Sequence, residues 1–516
     1  MSRIEKIMLI HPPDRAVRGF FRANLPPLGL AYLAAMVRDE AEVKILDAKC
    51  EGYDHIEPMG ENFLRFGLPM SEIRHRIEQF APDIVGVSCV ISFNWPDVAH
   101  VLRLAKDVNP DIVTTVGGTH PTFLAEDVMR DHPELDYIVM GEGERTFLDM
   151  VRRLKAGKSL DDLPGIAERK GADINIHPPA EPILDIDSLP LPARDLLPME
   201  KYFDTAVPFS RTYKHRRNTQ ISTSRGCPAR CIFCSSANYW GHRWRGRSAQ
   251  NVLDEIRHLI DQYGIKEIQF IDDNLTLERN RAETIFRGII DRGYDIAWNT
   301  PNGIALWRMD EELLKLMKAS GCYELTLAFE SGDQHVLRNI VGKPLDLDRA
   351  AYLTRVIKKM GFATHAFFIS GFPGETLDQV KNTFDYAKKV DVDSAYFFLA
   401  NPLPGTELYE TASRKGYLRP EFKFTNIDYS IPYLETPEWS AEEIGKAVSR
   451  QYFIHNIRLL WRSPLKFWHK YGGTIIEHPG MVLSHLKLGE RIPLVLDKLA
   501  RQFRILTGRR RPAVEE

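Results

Sequence analysis

Over the first 155 or so residues, short apolar runs alternate with longer stretches of helical period. The runs "KIMLI" (6–10), "EVKILDA" (42–48), "DIVGVSCV" (83–90), "DIVTTVGG" (111–118) and "DYIVMGEGE" (136–144) have the length and β-branched content of strands. Between them, "LGLAYLAAMVRD" and "VAHVLRLAKDV" space apolar residues three and four apart, as a helix with one buried face does. The alternation predicts a doubly wound, Rossmann-like parallel sheet over 1–155, whose ligands meet the carboxyl ends of the strands. The unusual loops "SCVIS", "GGTHPT" and "GEGE" fall at those ends.

From 156 to 215 the periodicity breaks at repeated prolines, which predicts an extended linker with a small hairpin and no visible chemistry. A second alternating series fills 216–430. Its strand-like runs are "TQISTSRG", "EIQFIDDN", "DIAWNTPNG", "ELTLAFESG", "ATHAFFISGFPGET" and "SAYFFLANPLPGT", each separated from the next by a helical stretch. Six such units with right-handed crossovers predict a (β/α)6 partial TIM barrel, two units short of closure. Polar residues and glycines again cluster just after each strand.

Residues 431–516 read as a mainly helical, basic extension. Between 451 and 511 there are twelve Lys or Arg against three Asp or Glu, interleaved with Trp461, Phe467, Trp468 and Tyr471. Such a mixture suits an amphipathic helix on an anionic membrane surface. It equally suits helices that cap the barrel with solvated basic faces.

Composition narrows the class. With 44% hydrophobic and 27% charged residues, the chain is that of a globular enzyme, and its 516 residues predict about three domains. The net charge of −2 gives no sign of a nucleic-acid partner. The sequence has neither a signal peptide nor an apolar stretch of spanning length, so a cytoplasmic protein is expected, with peripheral membrane contact through the extension as the open point. Cys50, Cys89 and Cys322 stand alone in apolar or mixed surroundings and read as buried thiols of a reducing compartment.

The remaining cysteines carry the chemistry. In "RGCPARCIFCSS" (225–236), Cys227, Cys231 and Cys234 follow the first strand of the second series. Zinc needs a further Cys or His at short spacing, and His242 lies too far on to fit well. A 4Fe-4S cluster held by three thiolates leaves one iron open to a small chelating substrate.

The spacing C-x3-C-x2-C, with Phe233 just before the last cysteine and at the head of six β/α units, resembles the radical S-adenosylmethionine superfamily. The resemblance implies that the open iron chelates S-adenosylmethionine, whose reductive cleavage gives a 5'-deoxyadenosyl radical. It also implies an electron donor such as flavodoxin or ferredoxin. By the same resemblance Phe233 belongs to the S-adenosylmethionine site. "FIDDN" places Asp272 and Asp273 at its amino end, "LAFESG" places Glu330 and Ser331 near ribose or carboxylate, and "ISGFPGET" places Gly371 near adenine.

The first domain is similar to the cobalamin-binding domain that precedes one branch of this superfamily, on "PPLGLAYLAAMV", "DIVGVS", "VGGTHPT" and "YIVMGEGE". This implies cobalamin contacts at Ser88, Gly117, Gly118, Thr119, Gly141 and Glu142. Many such domains carry DxHxxG with a cobalt-ligating histidine; here "DAKCEG" has Asp47, Lys49 and Gly52, with lysine in the histidine's place. A protonated lysine is a poor cobalt ligand.

The two resemblances imply a cobalamin-dependent C-methyltransferase acting on an unactivated carbon. A lipid or isoprenoid such as a hopanoid is the leading substrate expectation, on the strength of the basic, Trp-containing tail. Two alternatives stand beside it: a radical cyclase or ring-rearranging enzyme, like the one that builds the extra ring of chlorophyll precursors, and a cobalamin or iron-sulfur sensor without turnover.

Overall fold

The computed structural model describes residues 4–17, 22–60, 63–171, 173–205 and 213–462. The first sheet has strands β1 (Lys6–His11), β2 (Glu42–Asp47), β3 (Ile84–Ser88), β4 (Val113–Gly117), β5 (Tyr137–Val139), β6 (Ile166–Lys170) and β7 (Asp173–Ile176). Their order across the sheet is β7-β6-β5-β4-β3-β1-β2. The five strands β1 to β5 are parallel, whereas β6 and β7 add antiparallel to the β5 edge. The hairpin expected within 156–215 is therefore part of the first sheet, which runs on to Ile176. Strand order reverses at β1, flanked by β2 and β3, and such a reversal opens a crevice above the carboxyl ends. Ile7, Leu9 and Ile10 of β1 are fully buried, as expected of a strand covered on both faces.

The second sheet is β8 (Asn218–Ile221), β9 (Glu267–Phe270), β10 (Ala297–Ile304), β11 (Cys322–Glu330), β12 (Ala363–Ser370) and β13 (Ser394–Leu399), all parallel and in chain order. This is the open six-stranded barrel wall. Local signals set the helices between the strands. Ser248 caps α1 (Ala249–Tyr263) through its side chain, and Thr376 with Gln379 forms a capping box at α2 (Leu377–Val390).

Phe329 stacks on Phe368, and Phe368 on Phe397, each pair 5.4 Å apart. Phe329 also meets Tyr386 of α2 and Phe397 meets Phe384, so this row faces the helices. Alternation along a strand then turns Glu324, Thr326, His365, Phe367, Tyr396 and Phe398 to the barrel interior.

The helix α3 (Ala441–Arg462) covers the open edge at β13. His455 Nε2 accepts the Ala395 backbone N–H at 3.0 Å, and Tyr452 packs edge-on against Phe397. An exposed strand edge is a hazard that a covering helix removes, so this part of the extension caps the barrel. Phe467, Trp468, Tyr471 and the rest of 463–516 lie outside the described residues. No helix among the described residues is long and apolar enough to cross a membrane.

Candidate active site

The cysteine loop leaves the barrel wall after a two-residue strand, Ser224–Arg225. Cys227 and Cys231 are half-buried and Cys234 is exposed. Two neighbours fix the loop. The Ile232 N–H donates to Val341 O at 3.0 Å, and the Leu408 N–H donates to Ile232 O at 2.9 Å. Gly342 makes the first of these contacts possible: its φ is +78°, and a Cβ there would come within 2.7 Å of Arg230 O.

The Cys234 N–H donates to Cys231 O at 3.0 Å, so the last two cysteines sit on one tight turn. Burial pushes the Cys231 thiol up to about 12, and the nearby Glu330 carboxylate works in the same direction against Lys343. Thiols held neutral in this way are poor nucleophiles, and they ionise when a metal supplies positive charge. Among the described residues no three His, Cys, Asp or Glu side chains converge on a single ion. A four-iron cluster takes one thiolate on each of three irons, so thiols spread around a volume match its needs. Asn274 Nδ2 donates to Cys227 Sγ at 2.8 Å.

The acidic residues after β9 part ways. Asp272 is buried and accepts from the Thr223 N–H at 3.1 Å, from Thr223 Oγ1 at 2.7 Å and from the Ser224 hydroxyl. It therefore braces the strand that enters the cysteine loop. Asp273 is exposed and paired with Ser236, two residues past Cys234.

At the end of β11, Glu330 is buried at φ +66° and bound by Lys343 Nζ at 2.9 Å. Such backbone strain in a non-glycine residue is found where surrounding structure holds it, often at functional sites. Ser331 is fully buried, 3.0 Å from Thr383 Oγ1, and accepts from the Asp333 N–H. It shapes the turn and does not line an opening. Gly371 and Phe372 donate their N–H groups to Glu375 Oε2 at 2.7 and 3.1 Å. Burial raises the Glu375 carboxyl to about 7. Phe233 lies 5.9 Å from Phe372, ring to ring, so it links the cysteine loop to this turn.

On the first domain, Ser88, Gly117 and Thr119 sit partly open at the ends of β3 and β4. Gly118, at φ +111°, lets its chain pass so close to Cys89 that a Cβ would lie 2.5 Å from the Cys89 carbonyl oxygen. Val90 and Ile91 beside it are 64% and 48% exposed, an apolar shelf at the crevice. A flush backbone next to exposed apolar side chains fits a large flat macrocycle.

Gly141 is held through its N–H by Thr122 Oγ1 at 3.0 Å and through its carbonyl by the Tyr239 hydroxyl at 2.8 Å. Glu142, expected as a cobalamin contact, is engaged elsewhere: it accepts from Arg225 Nη1 at 2.8 Å and from Arg245. Glu144 accepts from Arg225 as well. At "DAKCEG", Asp47 caps the following turn through the Cys50 N–H and meets His11 Nδ1 at 3.0 Å. Lys49 is ion-paired with Asp14 at 2.7 Å. Arg225, Arg245, Tyr239, Asn274 and Lys343 are not foreseen as site residues from sequence, whereas Glu375 falls within the "ISGFPGET" stretch. The basic residues flanking the cysteines were the only visible hint.

With the geometry in place, comparison with known proteins is direct. Residues 15–151 match the B12 binding domain and residues 221–387 the Radical SAM superfamily. The chain is 37% identical over 483 residues to cytidylyl-2-hydroxyethylphosphonate methyltransferase of Streptomyces wedmorensis, spanning 87% of this chain and 89% of that one. It belongs to the cobalamin-dependent radical S-adenosylmethionine methyltransferase family, whose cofactors are a 4Fe-4S cluster, S-adenosylmethionine and cobalamin.

More distant relatives include the anaerobic magnesium-protoporphyrin IX monomethyl ester cyclase of Rubrivivax gelatinosus, at 28% identity over 87% of this chain and 76% of that one. The hopanoid C-3 methylase of Methylococcus capsulatus is 26% identical over 92% of this chain and 84% of that one. The fold matches the solved structure of the cobalamin-dependent S-adenosylmethionine radical enzyme OxsB, with a TM-score of 0.67 and 19% identity over 97% of this chain and 75% of that one.

Proposed function

We propose that this methyltransferase adds a methyl group to an unactivated carbon of a small molecule bearing polar groups, held in the barrel between the two cofactor loops. The observation that supports the reading is the direct contact of those loops, Arg225 with Glu142 and Tyr239 with Gly141, which brings the two cofactor loops side by side. When bound, the cluster and S-adenosylmethionine supply a hydrogen-abstracting carbon radical, and cobalamin supplies the methyl group.

In this reading Cys227, Cys231 and Cys234 hold the cluster, and Asp273, Glu330 and the Gly371 turn line the S-adenosylmethionine site beside Phe233. Ser88, Gly117, Gly118, Thr119 and Gly141 receive cobalamin. Glu142 locks the loop, while Asp272 and Ser331 shape the turns behind the ligands. Lys49, ion-paired with Asp14, would not serve as a cobalt ligand. An electron donor of the flavodoxin or ferredoxin type would reduce the cluster. We place residues 1–176 in the cobalamin unit, with 216–430 forming the radical unit and 431–516 its extension.

A polar substrate is favoured over a hopanoid by the barrel interior. Gln269, Asn299 and Glu324 are buried there, and His365 Nε2 lies 3.0 Å from Glu324 Oε2 while its Nδ1 has no hydrogen-bond partner. Such a lining can exchange hydrogen bonds with a polar substrate, whereas a wholly apolar ring system offers it none. The phosphonate relative points the same way, whereas the lipid reading drew on a tail of which 463–516 lie outside the described residues.

The test is anaerobic turnover with isotopically labelled S-adenosylmethionine, offering cytidylyl-2-hydroxyethylphosphonate in one arm and a hopanoid in another. Labelled methyl in the phosphonate product supports the reading, and label in the hopanoid restores the lipid substrate. A ring-closed product without added carbon would mark a cyclase, and 5'-deoxyadenosine formed in no arm would favour a sensor.

A further inference from the structure

The cysteine loop grips the cobalamin loop from both of its ends. Two residues before Cys227, the Arg225 guanidinium reaches Glu142 at 2.8 Å and also binds Glu144. After Cys234, Tyr239 donates its hydroxyl to Gly141 O at 2.8 Å, and Arg245 closes on Glu142 while donating to Ile183 O and Trp240 O, each at 2.7 Å.

The four charged side chains are between 3% and 8% exposed. The Arg225 guanidinium further lies 4.9 Å above the Trp240 ring. Buried charges tolerate little displacement, because separating such a pair leaves each partner desolvated and uncompensated. A shift at either loop is therefore passed to the other. The flank of the same joint is equally tight, with Asn238 Nδ2 donating to Gly405 O at 2.8 Å and Phe123 packed where a Gly405 Cβ would stand.

From this we infer that cluster assembly and cobalamin binding are thermodynamically linked through the Arg225, Tyr239 and Arg245 grip on Gly141–Glu144. Ordering the cysteine loop around its irons fixes both ends of the loop. Those ends fix the Gly141–Glu144 turn, so cobalamin meets a turn already set. Linkage is reciprocal, and bound cobalamin raises retention of the cluster by the same factor. The inference rests on the chain's two cofactors and is independent of its substrate.

The experiment is an anaerobic spectrophotometric titration with hydroxocobalamin of the full chain, once with its cluster and once stripped of it. The cluster-loaded form binds at least about five-fold tighter, the lower end of typical coupling. In Glu142→Gln, with iron and sulfide per chain matched to the parent, that ratio falls towards one. Tyr239→Phe removes a single hydroxyl without leaving a buried charge, so it folds as the parent does and loses part of the ratio. Equal affinity in the two parent forms, or a parental ratio in both variants, overturns the linkage. No hydroxocobalamin binding by either parent form would overturn the cobalamin assignment itself.

Discussion

Asn274 donates its side-chain amide N–H to the sulfur of Cys227 across 2.8 Å, and its backbone carbonyl oxygen accepts the Trp244 indole N–H at 3.1 Å. The side chain is 1% exposed, so water does not compete for the bond. An N–H group aimed at a cluster thiolate favours the more negative, reduced state.

Asn274→Ala is therefore expected to lower the reduction potential of the cluster. The shift is roughly 40 mV, the one-electron equivalent of about 1 kcal/mol of hydrogen-bond strength. A redox titration followed by electron paramagnetic resonance measures it. A potential that stays put or rises would show that Asn274 does not tune the cluster.

The Glu330–Lys343 pair predicts a stability effect that can be separated from catalysis. Both side chains are under a tenth exposed, at 2.9 Å. Lys343→Met leaves the Glu330 charge buried alone, which costs about 3–5 kcal/mol in such sites. Adding Glu330→Gln to Lys343→Met should recover most of that loss, and the non-additivity is read from urea unfolding of the cluster-free chain. A double-variant loss equal to the sum of the losses in Lys343→Met and Glu330→Gln alone would mean the pair is not coupled.

Much of this architecture is legible in the sequence, because local rules determine it. Strand length, helical period and cap residues act within a few positions, and the C-x3-C-x2-C spacing is itself local. What sequence does not reveal is where a charged side chain finds its partner. Asp272 and Asp273 are adjacent and chemically identical, yet the turn after β9 sends one to Thr223 and leaves the other exposed beside the cysteine loop. Glu142 reads as a loop-end ligand contact until Arg225, 83 residues on, is folded against it. The β6–β7 hairpin looks like linker because its place depends on antiparallel pairing with β5, and register across a sheet is a non-local property.

Gly118 tests the cobalamin cradle. Alanine there must adopt φ +111° with its Cβ 2.5 Å from the Cys89 carbonyl oxygen. Gly118→Ala is expected to destabilise the chain by on the order of 1–3 kcal/mol, and to weaken hydroxocobalamin binding at least ten-fold if the turn shifts outward by a corresponding 1.4 kcal/mol or so. Thermal unfolding and a binding titration separate the two effects. Gly141→Ala is the comparison, since φ is +66° there but the space for a Cβ is open. Should Gly118→Ala bind as tightly as the parent, the cradle lies elsewhere.

Glu375 makes the fold itself pH-dependent. Its carboxylate is fully buried, Oε2 accepts two backbone N–H groups of the Gly371 turn, and Oε1 has no partner. Burial outweighs the two bonds and lifts the group from 4.5 to about 7. Because the folded pKa exceeds the unfolded one, the folded chain binds more protons between those values, and its stability falls as pH rises through them. The contribution is complete below pH 4.5 and gone once the pH passes 7. It amounts to on the order of 3 kcal/mol at about 1.4 kcal/mol per pH unit. Glu375→Gln keeps an acceptor for Gly371 and Phe372 but carries no proton to lose, so its stability should lack this slope. Its new amide N–H group has no partner at Oε1, which shifts absolute stability, so the informative quantity is each protein's change between pH 5 and pH 8 in urea unfolding. A parent that loses no more stability than Glu375→Gln over that interval would show that the Glu375 carboxyl ionises within the folded turn without penalty.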